Sequence, residues 1–393
     1  LMKRSKLLLM WLAGMLILLV SSCRSDDEEL VLSSVTNVTP GVQVTGPVKG
    51  FFLLNEGNMG SNKASLDYFD YASGNYCKNI YPELNPTVQK ALGDVGNDIQ
   101  INGDKLFAVI NVSHLVEVMD VNTARHLAAI PIPNCRYIVF NGRYAYVSSY
   151  AGKVVIDPNA RLGYVAKVDL NSLQVVDTCD VGYQPEEMVV VGNKLYVANS
   201  GGYRVPNYDN TVSVIDLNTF TEIKKITVGI NLHRMAIDAR GNIYVSSRGD
   251  YYDIHSKVYV INSHNDMVTD VLNFPASEFC LSGDSLFYYS TEYSKYTGQN
   301  TISYGIYDTR KKRVVTTNFI TDGTEKSIEV PYGLAVNPDT KEIFVTDAKN
   351  YVTPGTLYCF TPEGKKKWSV TTGDIPAHFV FTTKRLQVTF SNQ

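Results

Sequence analysis

The stretch Val191-Gly-Asn-Lys-Leu-Tyr-Val-Ala-Asn-Ser200, a loop, and then Thr211-Val-Ser-Val-Ile-Asp-Leu-Asn-Thr-Phe-Thr-Glu-Ile-Lys-Lys-Ile-Thr-Val-Gly229 decides the fold. It reads as three short strands, at residues 195–199, 211–216 and 222–228. The first two are rich in β-branched and aromatic residues and the third alternates apolar with polar. Gly192-Asn193 and Asn218-Thr219 supply the small polar chemistry of tight turns. With residues 187–191 in front, the stretch becomes a four-stranded antiparallel unit.

The unit repeats. An aromatic residue, two or three apolar or small residues and then a small polar one recur at 52–55, 107–111, 146–149, 196–199, 244–247, 287–290 and 344–347, seven copies in all. A third-strand pattern follows at 116–120, 165–169, 212–216, 257–261, 304–308 and 356–360. First strands precede six of the copies, at 99–101, 138–140, 188–191, 235–237, 279–281 and 334–336. The copy at Phe52 has none in front of it. The missing strand stands at the far end, His378-Phe-Val-Phe381 after Gly373-Asp-Ile-Pro376. Periods of this length mark propellers or solenoids. A last strand that completes the first unit closes a ring and hides the edges a linear array would expose. The expectation is an all-β protein: a seven-bladed β-propeller of four antiparallel strands per blade, closed by its C-terminal strand.

Residues 1–22 read as a secretory leader: Met2-Lys3-Arg4-Ser5-Lys6, an apolar run over 7–20, then Ser21-Ser22. The run is too short and too finely bounded for a membrane span. Leu19-Val20-Ser21-Ser22-Cys23 is similar to the bacterial lipoprotein box, which makes Cys23 the lipidation site. Residues 23–49, opening Cys23-Arg24-Ser25-Asp26-Asp27-Glu28-Glu29, are expected as an acidic, flexible tether. The ring then takes 50–393. A net charge of -3 over 393 residues offers no basic field for nucleic acid. The cysteine spacings suit no zinc site, the other Cys reading as small hydrophobes or unpaired thiols, and the six His show no metal-ligand spacing.

Composition is lopsided between the faces. Turns such as Asn141-Gly142 and Gly192-Asn193 are minimal, whereas the loops joining second to third strands at 150–163, 200–209, 248–255, 292–299 and 348–355 are long and rich in Tyr, Gly, Asn and Arg. That is the composition of a recognition surface, rigid amphipathic side chains among adaptable polar ones. The same tyrosines also suit packing of loop on loop. Blade-to-blade loops bring Asn97, Arg136, Glu186, His233, Tyr332 and His378 to the mouth of the channel. With Tyr203, Arg204, Tyr251, Tyr252, Tyr293 and Tyr351 from the long loops, these are the candidate ligand-binding residues. No Gly-x-Ser-x-Gly or His-Glu-x-x-His motif is present, so no catalytic or metal residue is named and the site reads as non-catalytic.

The repeat, the Gly-x-x-Pro blade entries (Gly182 to Pro185, Gly373 to Pro376) and Asn55-Glu56-Gly57-Asn58 resemble the surface-layer-like, YncE-like propellers of Bacteroidetes, and among them the BtuG family. The resemblance includes the lipoprotein box and the acidic run, which is similar to a surface-export signal. It implies an outer-membrane, cell-surface lipoprotein that binds cobalamin, or another corrinoid, as its ligand. It implies a TonB-dependent outer-membrane transporter as the partner that receives it. Other readings are a binder of a bulky nutrient such as a glycan, a structural surface-layer protein, and a lactonase-type hydrolase.

Overall fold

In the computed structural model, which describes residues 30–41, 46–88, 91–294 and 298–391, the deciding stretch is one antiparallel sheet. Its strands, Pro185–Val191, Lys194–Asn199, Thr211–Asp216 and Thr221–Thr227, lie in sequence order. Six such four-stranded sheets and one of five strands form seven blades, with their first strands side by side around the axis. The innermost strands of blades 1 to 7 are Pro376–Thr382, Gly96–Asn102, Cys135–Asn141, Pro185–Val191, Leu232–Ile237, Glu278–Ser282 and Pro331–Val336.

Blade 1 is assembled from both ends of the chain. Pro376–Thr382 pairs antiparallel with Gly50–Asn55, Phe51 facing Phe381, which is the expected ring closure. The seam to blade 7 is filled by aromatic rings: Phe51 lies 5.2 Å from Phe69 and 4.9 Å from Phe344, and Phe69 lies 5.1 Å from Trp368. Aromatic pairs at this spacing contribute beyond their buried area. The expectation of a flexible tether over 23–49 needs correction within its described part, residues 30–41 and 46–49. Val35–Asn37 pairs with Asn75–Cys77 as a fifth, outermost strand of blade 1, and Val31–Leu32 runs parallel to Thr389–Phe390. Leu32 is fully buried among Tyr68, Ile80 and Leu84. The physical reason is the three-residue outer strand of blade 1, whose short edge would otherwise stand unpaired.

In blades 1 and 6 the polar residue that ends the second-strand pattern, Asn55 or Ser290, bonds across to Ser65 or Ser303 on the third strand. In the other five blades it satisfies the backbone of a blade-to-blade crossover. Asn111 donates to the Cys135 carbonyl (2.9 Å), Ser247 to the Ile230 carbonyl (2.6 Å), Asn199 accepts from the Gly182 amide (3.1 Å) and Asp347 from the Val330 amide (2.9 Å). A buried backbone group left unpaired there would be costly. The Asp that ends many third strands caps the following turn. Asp120 Oδ1 accepts from the Asn122 and Thr123 amides, and Asp216 Oδ1 from those of Asn218 and Thr219. These short turns, with Gly142 (φ +58) and Gly192 (φ +57) in the left-handed conformation that hairpin turns require, make one face plain.

Candidate functional site

The inner strands do not run straight to the opposite face. Pairing breaks between Gly96 and Asp98, Cys135 and Ile138, Pro185 and Met188, Leu232 and Met235, and Pro331 and Leu334. Each break is a bulge, and bulges re-aim side chains. Arg136-Tyr137, Glu186-Glu187, His233-Arg234 and Tyr332-Gly333 occupy these breaks. Sequence reading put them in blade-to-blade loops; the structure puts them within the first strands.

Above the bulges lies a cavity of about 510 Å³. Asn97, Arg136, Tyr203, His233, Tyr251, Tyr252, Tyr332, Tyr351 and His378 all line it. Two candidates do not. Glu186 is fully buried behind Arg136, and Arg204 turns away, its guanidinium 3.5 Å over the Tyr183 ring and donating to the Asn207 carbonyl. Tyr293 lies in the strand Ser285–Ser294, which pairs with Gln299–Asp308 as an extended hairpin where a loop was expected. The Tyr293 side chain and Cys23 lie outside the described residues.

On the side of blades 3 to 5, Glu186 is the hub. Arg136 donates to its Oε2 from Nε (3.1 Å) and Nη2 (3.0 Å), Tyr150 donates to its Oε1, and Arg248 Nη1 stands 3.7 Å from the same Oε1. Arg136 also lies 4.8 Å over the Tyr150 ring, and its backbone carbonyl accepts from Asn97 (2.6 Å). Burial works against the charge on Arg136, but Glu186 together with Tyr150, Tyr137 and Tyr203 outweighs it and lifts the pKa well above the ordinary guanidinium value. Such pairs persist in a dry site only because their hydrogen bonds are nearly complete.

At the centre, Arg234 forks onto Glu278 (Nε–Oε1 2.7 Å, Nη2–Oε2 2.7 Å) and reaches Glu187 at 3.6 Å. Glu187 accepts from the Met235 amide (2.6 Å), and Asp98 from the Ile138 amide (2.9 Å), so these carboxylates staple one blade's inner strand to the next. Burial, opposed by Arg234 and helped by Glu278 and Asp98, pushes Glu187 up to about 7. His233 shares a hydrogen bond of 3.0 Å with Tyr137 through Nε2, and its buried Nδ1 has no partner among the described residues. Burial first, and then Arg248, Arg234 and Arg136, hold its pKa far below the usual imidazole range. The ring is neutral.

Across the mouth, Glu56 accepts from Tyr332 (2.8 Å) and pairs with His378 Nε2 (3.1 Å), and Tyr289 donates to the Tyr332 carbonyl. Tyr351 meets Tyr332 edge-on at 6.0 Å. The rim is different in kind: Tyr251 and Tyr252 are 59% and 61% exposed, with Met59, Ile254 and Val352 also in solvent. Among the described residues no group of three or more His, Cys, Asp or Glu could hold a metal ion.

Sequence reading missed Glu56, Tyr150 and Arg248 as site residues. Each stands one position after the polar residue that ends a second strand, Asn55, Ser149 and Ser247. That position recurs in the repeat and was the available signal.

Residues 49–382 match the family described as a domain of unknown function, DUF5074. The chain belongs to this family. The DUF5074 match runs the whole ring, from the residue before Gly50 to Thr382 at the end of the closing strand. No curated protein matches the sequence. Among solved structures, a quinoprotein alcohol dehydrogenase-like protein of Bacteroides thetaiotaomicron is similar at 15% identity and a TM-score of 0.56, covering 85% of this chain and 78% of that one. Hydrazine synthase of Kuenenia stuttgartiensis is similar at 15% identity and 0.55, over 68% and 77% of the two chains. A computationally designed protein gives 11% identity and 0.52, over 89% and 92%. At these identities the likeness is one of fold.

Proposed function

We propose that this protein captures a bulky, amide-rich small molecule, a corrinoid of the vitamin B12 type, in the bowl of its elaborated face, without turning it over. One observation carries the reading: exposed tyrosines ring a cavity whose charged floor is largely paired with itself. A floor of this kind presents fixed hydrogen-bonding groups to peripheral amides while the rim offers flat aromatic surface to a macrocycle. A corrinoid is larger than the cavity, so it would seat one edge on the floor and lean against the rim. The sequence pattern at residues 2–29 supports anchoring through Cys23 at the outer surface of an outer membrane, with a TonB-dependent transporter as recipient. Among the described residues no helix is long and apolar enough to cross a membrane.

Titration calorimetry with cyanocobalamin tests the capture. Saturable binding by the folded chain is expected, and its absence removes the corrinoid from the proposal. The adjacent exposed Tyr251 and Tyr252 also suit stacking on a sugar ring, so oligosaccharides belong in the same titration as the second reading. Cys23→Ala should release the protein from the cell surface; surface retention of that variant through an alkaline wash would refute the anchor.

A further inference from the structure

Three guanidiniums line the cavity, and they are not equally occupied. Arg136 spends two donors on Glu186, and Arg234 spends its fork on Glu278 with Glu187 beyond. The side chain of Arg248 makes no hydrogen bond among the described residues. Its ion partner is Glu186 Oε1 at 3.7 Å, and that oxygen already accepts from Tyr150. Two guanidiniums therefore share one carboxylate, which leaves part of the Arg248 charge unmet by Glu186. His233 beside them is neutral and cannot cancel or add to it. Arg248 is about a third exposed, open to the cavity and flanked by the loop that carries Tyr251 and Tyr252. The opposite wall has the reverse character, with Glu56 held by Tyr332 and His378.

We propose that Arg248 is an anion-recognition residue and that the natural ligand carries a phosphate or carboxylate group which docks on its fork. A guanidinium with unspent donors presents parallel N–H groups at the spacing of such an oxyanion, and charge-assisted pairs of this type are the stronger ones. The ligand is thereby oriented: its anionic end lies toward blades 4 and 5, and its neutral hydrogen-bonding end toward Glu56 and Tyr332. This rests on the bowl being the ligand site and not on the ligand being a corrinoid.

The test is calorimetric titration of the full chain with inorganic phosphate and, separately, acetate, at constant ionic strength set with chloride. Saturable phosphate or acetate binding is expected in wild type, at least tenfold weaker in Arg248→Gln and unchanged in Arg310→Gln on the plain face. Arg248→Lys, which keeps the charge and loses the fork, should fall between. A preference for phosphate assigns a phosphoryl group, and equal binding of acetate assigns a carboxylate. Matching melting curves for Arg248→Gln and wild type exclude a folding defect. The idea fails if wild type binds neither anion beyond chloride, or if Arg248→Gln binds them as wild type does. Anion binding lost in Arg248→Gln, with cyanocobalamin ignored by wild type, upholds the anion site and rejects the corrinoid. Cyanocobalamin bound equally by wild type and Arg248→Gln, with no anion binding, does the reverse.

Discussion

The floor and the rim of the bowl are built by opposite means. Most floor residues sit in bulges of the inner strands, all are buried or half-buried, and they hold one another: Arg136 on Glu186, Arg234 on Glu278, Tyr332 on Glu56. Rim residues sit on loops, with Tyr251 and Tyr252 mostly in solvent. A floor whose charges are paired before any ligand arrives costs little reorganisation on binding. A rim of exposed aromatics has affinity still to gain. Substitutions in the floor should therefore register first as stability, and those in the rim as affinity.

The largest effect should come from removing the frame that carries the floor. Deleting residues 376–391 strips blade 1 of its inner strand and uncovers the edge of Gly50–Asn55 together with the Phe51 cluster. Loss of the cooperative melting transition and aggregation are expected, because unpaired edges associate. Circular dichroism with light scattering reads this directly; a soluble truncation that melts like wild type would break the closure argument.

Next in size is Glu186→Ala. It orphans Arg136 and removes the acceptor of Tyr150, and breaking a buried pair from one side costs about 3–5 kcal/mol. The urea midpoint should fall accordingly, with a milder fall for Glu186→Gln. An unchanged midpoint would mean the floor is not self-supporting.

On the rim, Tyr251→Ala and Tyr252→Ala should leave the midpoint within about 0.5 kcal/mol. Each should weaken cyanocobalamin binding by on the order of 2 kcal/mol, roughly thirtyfold, if it is an anchor. Asn193→Ala on the plain face should change neither quantity. Loss of affinity in Asn193→Ala alone would move the site to the other side of the ring.

The smallest effect concerns Glu187. Its carboxyl faces Arg234, Glu278, Asp98 and the Met235 amide, and its pKa is raised from 4.5 to about 7. The folded protein thus holds this proton more tightly than the unfolded chain does. Between about pH 4.5 and 7 the unfolded state carries fewer protons, so this group's contribution to stability is complete below 4.5 and lost as pH rises through 7. The shift caps the change at about 3 kcal/mol, and water at the partly exposed carboxyl brings it lower. Glu187→Gln, which keeps an acceptor for Met235, should flatten the profile, and a wild-type profile in that variant would sink the assignment. The contrast sharpens here, since no rim tyrosine should alter the pH profile.

The sequence by itself determined the ring. Each second strand announces itself through local pattern, an aromatic start and a small polar end, and the observed strands of blade 4 begin and end within two residues of those read from it. The displaced first strand, His378 to Phe381, by itself implies closure. Which face was elaborated also followed from loop composition. Tertiary structure alone decided the rest. Bulges do not show in residue pattern, because they are set by the curvature each inner strand needs at the axis. Whether a loop arginine faces the cavity, as Arg248 does, or lies on a neighbouring ring, as Arg204 does on Tyr183, depends on partners in other segments. Glu186 is bound to Arg136 from 50 residues away, a pairing that exists only once adjoining blades are in place. The Val35–Asn37 strap has the same origin: it is a strand because blade 1 offers it an edge, and its own sequence does not require one.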